Sequence, residues 1–229
     1  MIAIISDVHG NHAALTAVLA EIDRLCVPRV ICLGDIAGYY CQINECCETL
    51  IRRNVFSLMG NHDWYLTTNE GCARSRSANE CLDYQRRVIE PSHLAWLASL
   101  KPQAEIEQLR IVHGGWNDPV DEYVQPSSEY FSAVDGRYFA SGHTHVPCVW
   151  TNGTKTYCNP GSVGQPRDGD SRASFAICDD YAFSIRRVAY DVGATQQAMR
   201  EAGFDRYFYE NLEVGARIGG KIDRLENRP

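Results

Sequence analysis

The sequence predicts an α/β protein, with parallel strand–helix–strand units first and mostly antiparallel strands after them. Three observations carry that reading. Short apolar runs alternate with amphipathic helical stretches early in the chain, the pattern that builds parallel sheets. The second half instead holds short strand-like runs spaced by turn dipeptides. Several apolar runs end in a short polar motif of aspartate, histidine or asparagine, and ligands bind open α/β sheets at strand ends.

Residues 2 to 6 form an apolar run closed by Asp7 and read as a buried strand. Residues 12 to 25 place Leu15, Val18, Leu19, Ile22 and Leu25 at helical spacing, which makes one face apolar. Val30 to Leu33 is a second buried strand, ended by Gly34 and Asp35. Ile43 to Arg53 is a second amphipathic helix. Val55 to Met59 is a third strand, ended by Gly60, Asn61, His62 and Asp63. A polar stretch follows and is helical from Asn79 to Ile89. Pro91 opens a short helix to Leu100, since proline suits a first helical turn. The later strands are Ile106 to Val112, Tyr138 to Ala140, Cys148 to Thr151, Thr156 to Cys158, Ala173 to Cys178 and Ala182 to Val188. Asn152-Gly153 and Asp179-Asp180 supply hairpin turns. Residues 191 to 229 are charged and lack long apolar runs. They read as a C-terminal helical appendage, packed on or extending from a main domain of residues 1 to 190.

A chain of 229 residues suits that organisation and buries enough surface to fold without disulfides. Its 45% hydrophobic and 22% charged residues exclude a disordered or collagenous chain. No run of about 18 apolar residues exists to span a membrane. A net charge of -7 argues against polymeric nucleic acid as a partner, since phosphate backbones attract basic surfaces. Met1 leads straight into Ile2-Ala3-Ile4-Ile5, without the basic and long apolar regions of a secretory leader. Of the ten cysteines, none forms a Cys-x-x-Cys pair. Cys26, Cys32, Cys148, Cys158 and Cys178 read as small buried hydrophobes. Cys41, Cys46 and Cys47 fit no zinc spacing. Reduced thiols in a cytoplasmic protein are the expectation.

Five of the seven histidines lie in the polar motifs: Asp7-Val8-His9, Gly60-Asn61-His62-Asp63, His113-Gly114 and Gly142-His143-Thr144-His145, with Gly34-Asp35 between the first two. Aspartate, asparagine and histidine donors suit borderline divalent ions such as manganese, iron, zinc or nickel. Alternate residues of an extended segment face one way, so Asp-x-His and His-x-His can each serve one centre. The candidate ligands are Asp7, His9, Asp35, Asn61, His113, His143 and His145. Seven are too many for one ion; with one carboxylate shared, they divide into two sets of four.

These ordered motifs resemble those of the calcineurin-like metallophosphoesterase superfamily: D-x-H, G-D, G-N-H-[DE], H and G-H-x-H. Residues Asn159 to Arg167 extend the likeness to its small bacterial phosphodiesterase and diadenosine-tetraphosphatase-like branch. The resemblance implies a four-layer α/β/β/α sandwich of two mixed sheets flanked by helices. It implies two divalent ions, one on Asp7, His9, Asp35 and His145, the other on Asp35, Asn61, His113 and His143, with Asp35 bridging. The implied activity is hydrolysis of a small phosphorylated substrate, a phosphodiester or nucleotide, by in-line attack of a metal-bridging hydroxide. A dinucleoside polyphosphate hydrolase is the narrower alternative, and a non-catalytic metal-binding scaffold for a protein partner the alternative of another class. No membrane partner is expected.

His62 is then free to protonate the leaving group. In the protein-phosphatase branch an aspartate and an arginine follow the bridging aspartate by three and four residues. Gly38 and Tyr39 stand there, which disfavours that activity and leaves His62 without an evident partner. Asp63 reads as a local hydrogen-bonding or helix-starting residue, and His12 and His93 as ordinary helix residues. Asn11 is a helix cap or a phosphate contact. Arg167 is a surface residue or an anion clamp. Tyr39, Trp64, Tyr65 and Trp116 are core and rim aromatics or a stacking surface for a base, with Tyr39 taken as a substrate contact. Arg74, Arg76 and Arg86 form a lid over an anionic substrate or a solvated helix face.

Overall fold

The computed structural model describes residues 1–225. Its first strands, β1 (Ile2–Ile5), β2 (Val30–Cys32) and β3 (Phe56–Ser57), pair in parallel. Helices α1 (His12–Arg24) and α2 (Ile43–Arg52) connect them. Helices α3 (Asn61–Thr68), α4 (Arg76–Val88) and α5 (Pro91–Ser99) follow. The chain then builds a second sheet from β4 (Gln103–Ile106), β5 (Leu109–Val112), β6 (Tyr138–Ala140), β7 (Cys148–Thr151) and β8 (Thr156–Asn159), with the short α6 (Ser128–Ser132) crossing from β5 to β6. Finally β9 (Ala173–Asp179) and β10 (Ala182–Val188) return to the first sheet, and α7 (Val192–Glu201) closes the chain with two 3-10 turns. The sheet orders are β10-β9-β1-β2-β3 and β4-β5-β6-β8-β7.

Strand periodicity explains the layers. Alternate side chains point to opposite faces of a strand. Ile4, Ile31 and Ala176 of the first sheet meet Ile111, Ala140 and Cys158 of the second in one buried core. Their neighbours Ala3, Ile5, Cys32 and Phe175 face the other way, onto Leu15, Leu19 and Leu50 of α1 and α2. Phe139 and Tyr157 point outward from the second sheet, onto Phe131 of α6 and Trp116 of the loop after β5. The fourth layer is therefore thin, one five-residue helix and a loop.

Several elements depart from expectation. The second sheet has a parallel centre, β5-β6-β8, with antiparallel strands only at its edges. The run expected at Ile106 to Val112 is a hairpin, because the chain turns at Glu107, whose φ is 56°. The third strand is two residues long, not five, because its end is spent on the Gly60 turn into α3. Helix α4 starts at Arg76, before Asn79, since the Ser75 hydroxyl caps it on Ala78 N at 3.1 Å. The last hairpin turns at Asp180 and Tyr181, both left-handed, one residue beyond the expected pair. All ten cysteines are free; Cys26 is exposed and Cys148 half-buried, not buried as expected. Helix α7 and the following turns pack Met199, Phe208 and Leu212 onto Tyr40 and Cys81. Residues 226 to 229 of the expected appendage lie outside the described residues. Among those described, no helix is long and apolar enough to cross a membrane.

Candidate metal centre

The loops after β1, β2, β3, β5 and β6 meet at one end of the two sheets and bring all seven predicted ligand residues together, each of them buried. Donor atoms of Asp7, His9, Asp35 and His145 lie within 4.8 Å of one another, as do those of Asp35, His113 and His143. Asn61 joins the second group, its Oδ1 3.2 Å from His113 Nε2. Asp35 belongs to both: its Oδ2 is 3.7 Å from His9 Nε2 and 3.4 Å from His113 Nε2.

The two carboxylates are prepared alike. Asp7 accepts the His143 backbone N–H on Oδ2 at 3.1 Å, and Asp35 accepts that of His62 on Oδ1 at 2.8 Å. The other oxygen of each, Asp7 Oδ1 and Asp35 Oδ2, is buried without a hydrogen bond. Three rings are prepared as well. The Nδ1 atoms of His9, His113 and His145 donate to the carbonyls of Ala37, Leu33 and Gln165 at 2.8, 3.0 and 2.6 Å. Each ring is thereby fixed with its Nε2 facing inward, as metal-ligating histidines are. His143 is turned round, with Nδ1 3.3 Å from His113 Nε2 and Nε2 3.4 Å from the Asp121 carboxylate. Buried carboxylate oxygens and ring nitrogens converging in this way suit bound cations. The residues present therefore fit two divalent ions.

One expectation about the backbone is corrected. Asp-x-His and His-x-His do not face one centre as extended segments. Asp7, His9, Asp35, His143 and His145 all have φ between 52° and 66°. Non-glycine residues avoid this left-handed region, and clusters of such strain mark functional sites.

Electrostatics follow from burial. It drives the His9, His143 and His145 rings well below the usual imidazole value, so they stay neutral. Burial opposes charge on His113 too, but the adjacent Asp35 outweighs it and raises that ring to about 9. Burial likewise opposes the Asp35 carboxylate, yet His113, His62 and His9 hold it well below the carboxylate range. Asp63 works behind the site, as expected: Oδ2 accepts from Asp35 N and Gly60 N, both at 2.9 Å, and Oδ1 from Ala37 N at 2.8 Å. Burial and the Asp35 charge raise it to about 7.

His62 stands in the first turn of α3, its ring 5.0 Å from that of His9 and 4.8 Å from that of Tyr39. Its Nδ1 is buried without a partner, and burial lowers its pKa. Gly38 explains why no side chain stands between. A Cβ there would lie 2.6 Å from His62 Nδ1 and 2.7 Å from His9 Nδ1. Gln85 of α4 holds this turn, accepting from Gly38 N and donating to the Gly38 and Tyr40 carbonyls at 2.8, 2.8 and 2.7 Å. Nothing local in the sequence marked Gln85 or Asp121, because each acts on a partner distant in the chain.

The centre opens into a cavity of about 450 Å³ lined by Tyr39, His62, Arg74, Tyr123, Arg167 and Arg217, among others. Tyr39 and Arg167, the expected substrate contacts, both line this cavity. Arg167 is buried, not a surface residue, and its guanidinium sits 5.3 Å over the Tyr39 ring. Asn11 does not reach the cavity. Its Oδ1 accepts from Ala14 N and Thr195 Oγ1, and its Nδ2 donates to Gly164 O and Tyr190 Oη. Every polar valence is used, so the expected phosphate contact gives way to the helix cap. Trp116 is core, Trp64 is exposed beside a smaller cleft with Tyr65, and His12 and His93 bond Thr49 and Asn44 away from the site. Of the three arginines expected as a lid, only Arg74 lines the cavity; Arg76 pairs with Glu80 and Arg86 with Asp83.

Two mixed sheets with a buried histidine–carboxylate centre at their strand ends define a metal-site hydrolase of the α/β sandwich class. The sequence model of the calcineurin-like phosphoesterase superfamily domain matches residues 1–180, and the chain belongs to that superfamily. It is a metal-dependent phosphoester hydrolase by that membership. It is similar to an uncharacterized protein of Methanocaldococcus jannaschii, 33% identical over 94% of this chain and 98% of that one. A metallophosphoesterase from Sphaerobacter thermophilus is 33% identical with a TM-score of 0.83, covering 93% of this chain and 98% of its own. A hypothetical protein from Pyrococcus horikoshii shares the fold at a TM-score of 0.83 and 19% identity, over 95% of this chain and 100% of its own.

Proposed function

We propose that the chain is a dinuclear metal-dependent phosphoesterase acting on a small phosphodiester or nucleotide. Asp7, His9, Asp35 and His145 would hold one ion and Asp35, Asn61, His113 and His143 the other, with Asp35 common to both. Manganese, iron, zinc and nickel all suit these donors. The carrying observation is that Asp35 alone belongs to both donor clusters. When bound, such an ion pair supplies a hydroxide nucleophile near neutral pH and offsets the charge of the phosphate.

The rest falls to the chain. His62 stands at the cavity wall and gives its ring proton to the departing oxygen. Burial keeps the ring neutral at rest, and the negative charge of a bound phosphate raises its pKa again. The Tyr39 ring packs against the His62 ring, and the Arg167 guanidinium sits over that same Tyr39 ring. Arg167 and Tyr39 contact the substrate. Dinucleoside polyphosphates are the narrower substrate reading, supported by this arginine and by the aromatic rings of the cavity. Ten free thiols support a cytoplasmic setting.

The test is turnover by the manganese-supplied protein of a nitrophenyl phosphodiester, a nitrophenyl monoester and a dinucleoside polyphosphate. Hydrolysis of the diester or the polyphosphate is expected. Turnover of none with any of the four metals contradicts the reading.

A further inference from the structure

The cavity wall away from the metal centre is basic in a chain of net charge -7. Its arginines are Arg74, Arg167 and Arg217, and Asp35 is the only carboxylate among the described lining residues. Two of the three have counter-charges: Arg74 pairs with Asp121, and Arg217 with Asp223 at 2.5 Å. Arg167 has none. It is 3% exposed, and no carboxylate among the described residues forms an ion pair with it. Its Nε and Nη2 both donate to Gln165 Oε1, at 2.9 and 2.7 Å, and its guanidinium sits over the Tyr39 ring, so its close partners are neutral. A buried guanidinium with no counter-ion is costly unless a ligand supplies the negative charge.

The segment after α7 completes this wall. Asp223 N donates to the Arg167 carbonyl at 2.7 Å, and Gly169 N to the Gly215 carbonyl at 2.9 Å. These bonds dock the chain's end on the loop that carries Arg167 and bring Arg217 to the same cavity. Arg217 is half-buried and pairs with Asp223 through Nε, which leaves its Nη groups to meet a ligand. Guanidinium groups match phosphate in geometry as well as in charge.

We infer that Arg167 and Arg217 form a second anion subsite that selects substrates carrying a further phosphate beyond the scissile one. The inference rests on the phosphoesterase reading and names the class of substrate for that site. Nucleotides with two separate or linked phosphates belong to the class; simple aryl diesters do not.

A matched pair of substrates tests it. Thymidine 5′-(p-nitrophenyl phosphate) and its 3′-phosphorylated counterpart share one leaving group and differ by one phosphate. With manganese-supplied protein, kcat/KM for the 3′-phosphorylated ester is expected to be at least about tenfold higher, about 1.4 kcal/mol. Arg217→Gln and Arg167→Gln each reduce that ratio toward one. Equal kcat/KM for the two esters, or a preference that survives both substitutions, overturns the subsite. Binding gives an arm independent of turnover. Calorimetry should show thymidine 3′,5′-bisphosphate binding at least about tenfold tighter than thymidine 5′-monophosphate, with the difference lost in Arg217→Gln. Equal binding of the two nucleotides overturns the subsite, whereas loss of turnover with the binding preference intact overturns only the phosphoesterase reading.

Discussion

The Nε2 atoms of His9 and His145 face each other at 3.0 Å, although each ring already gives its Nδ1 proton to a backbone carbonyl. Two lone pairs so placed repel, and burial keeps a proton from settling between them. A cation removes the conflict. Metal binding should therefore stabilise the fold itself. Manganese at a hundred times its Kd should add about 2.7 kcal/mol to unfolding. Thermal denaturation with and without a chelator measures this, and a melting temperature indifferent to the metal would count against a metal centre at this place.

Asp35→Asn should cost both ions, since Asp35 Oδ2 faces the donors of both clusters. Asp7→Asn should weaken mainly the first. Equilibrium dialysis distinguishes them: residual metal near zero in the former, near half in the latter. Two ions retained by Asp35→Asn would refute the bridge.

His62→Ala should keep the metals, because its ring belongs to neither donor cluster. Its rate should fall about a hundredfold for alkyl leaving groups and far less for nitrophenolate. Equal slowing of both classes would remove the proton-donor role.

His113 sets a pH dependence. In the metal-free fold its pKa is raised from 6.5 to about 9, so near pH 8 the ring is protonated, and a metal must displace that proton. Occupancy of the second site should release about one proton per ion at pH 8, and affinity should climb until about pH 9. The same shift stabilises the metal-free protein fully below pH 6.5 and is lost as pH rises through about 9. Titration calorimetry in buffers of different ionisation enthalpy reads the proton count; zero protons would contradict this state of His113.

Gln85→Leu should destabilise the fold by about 2 kcal/mol, because the buried Gly38 N–H and Tyr40 carbonyl lose their partners while the Gly38 carbonyl keeps only Tyr40 N. The urea midpoint reports it. An unchanged midpoint would mean that the turn holds itself.

The strand–helix units of the first sheet and the convergence of the candidate ligands were legible because both are written locally. An apolar run and the polar residue ending it are neighbours in the chain. What the sequence hid is long-range or conformational. Asn11 looked equally suited to phosphate until Thr195 and Tyr190, far along the chain, were seen to take its side chain. Glu107 split a continuous apolar run only through a left-handed backbone, a conformation that composition does not announce. The left-handed backbone at five of the candidate ligands was invisible for the same reason. Asp121 and Arg217 reach the site from a loop and from the chain's end, where no motif marks them.

The proposed function requires a pair of ions that share Asp35. Crystals grown with manganese and measured at its absorption edge test it most directly. Two anomalous peaks are predicted, roughly 3.5–4 Å apart, one among Asp7, His9, Asp35 and His145, the other among Asp35, Asn61, His113 and His143. A single peak, or peaks away from these side chains, would contradict it.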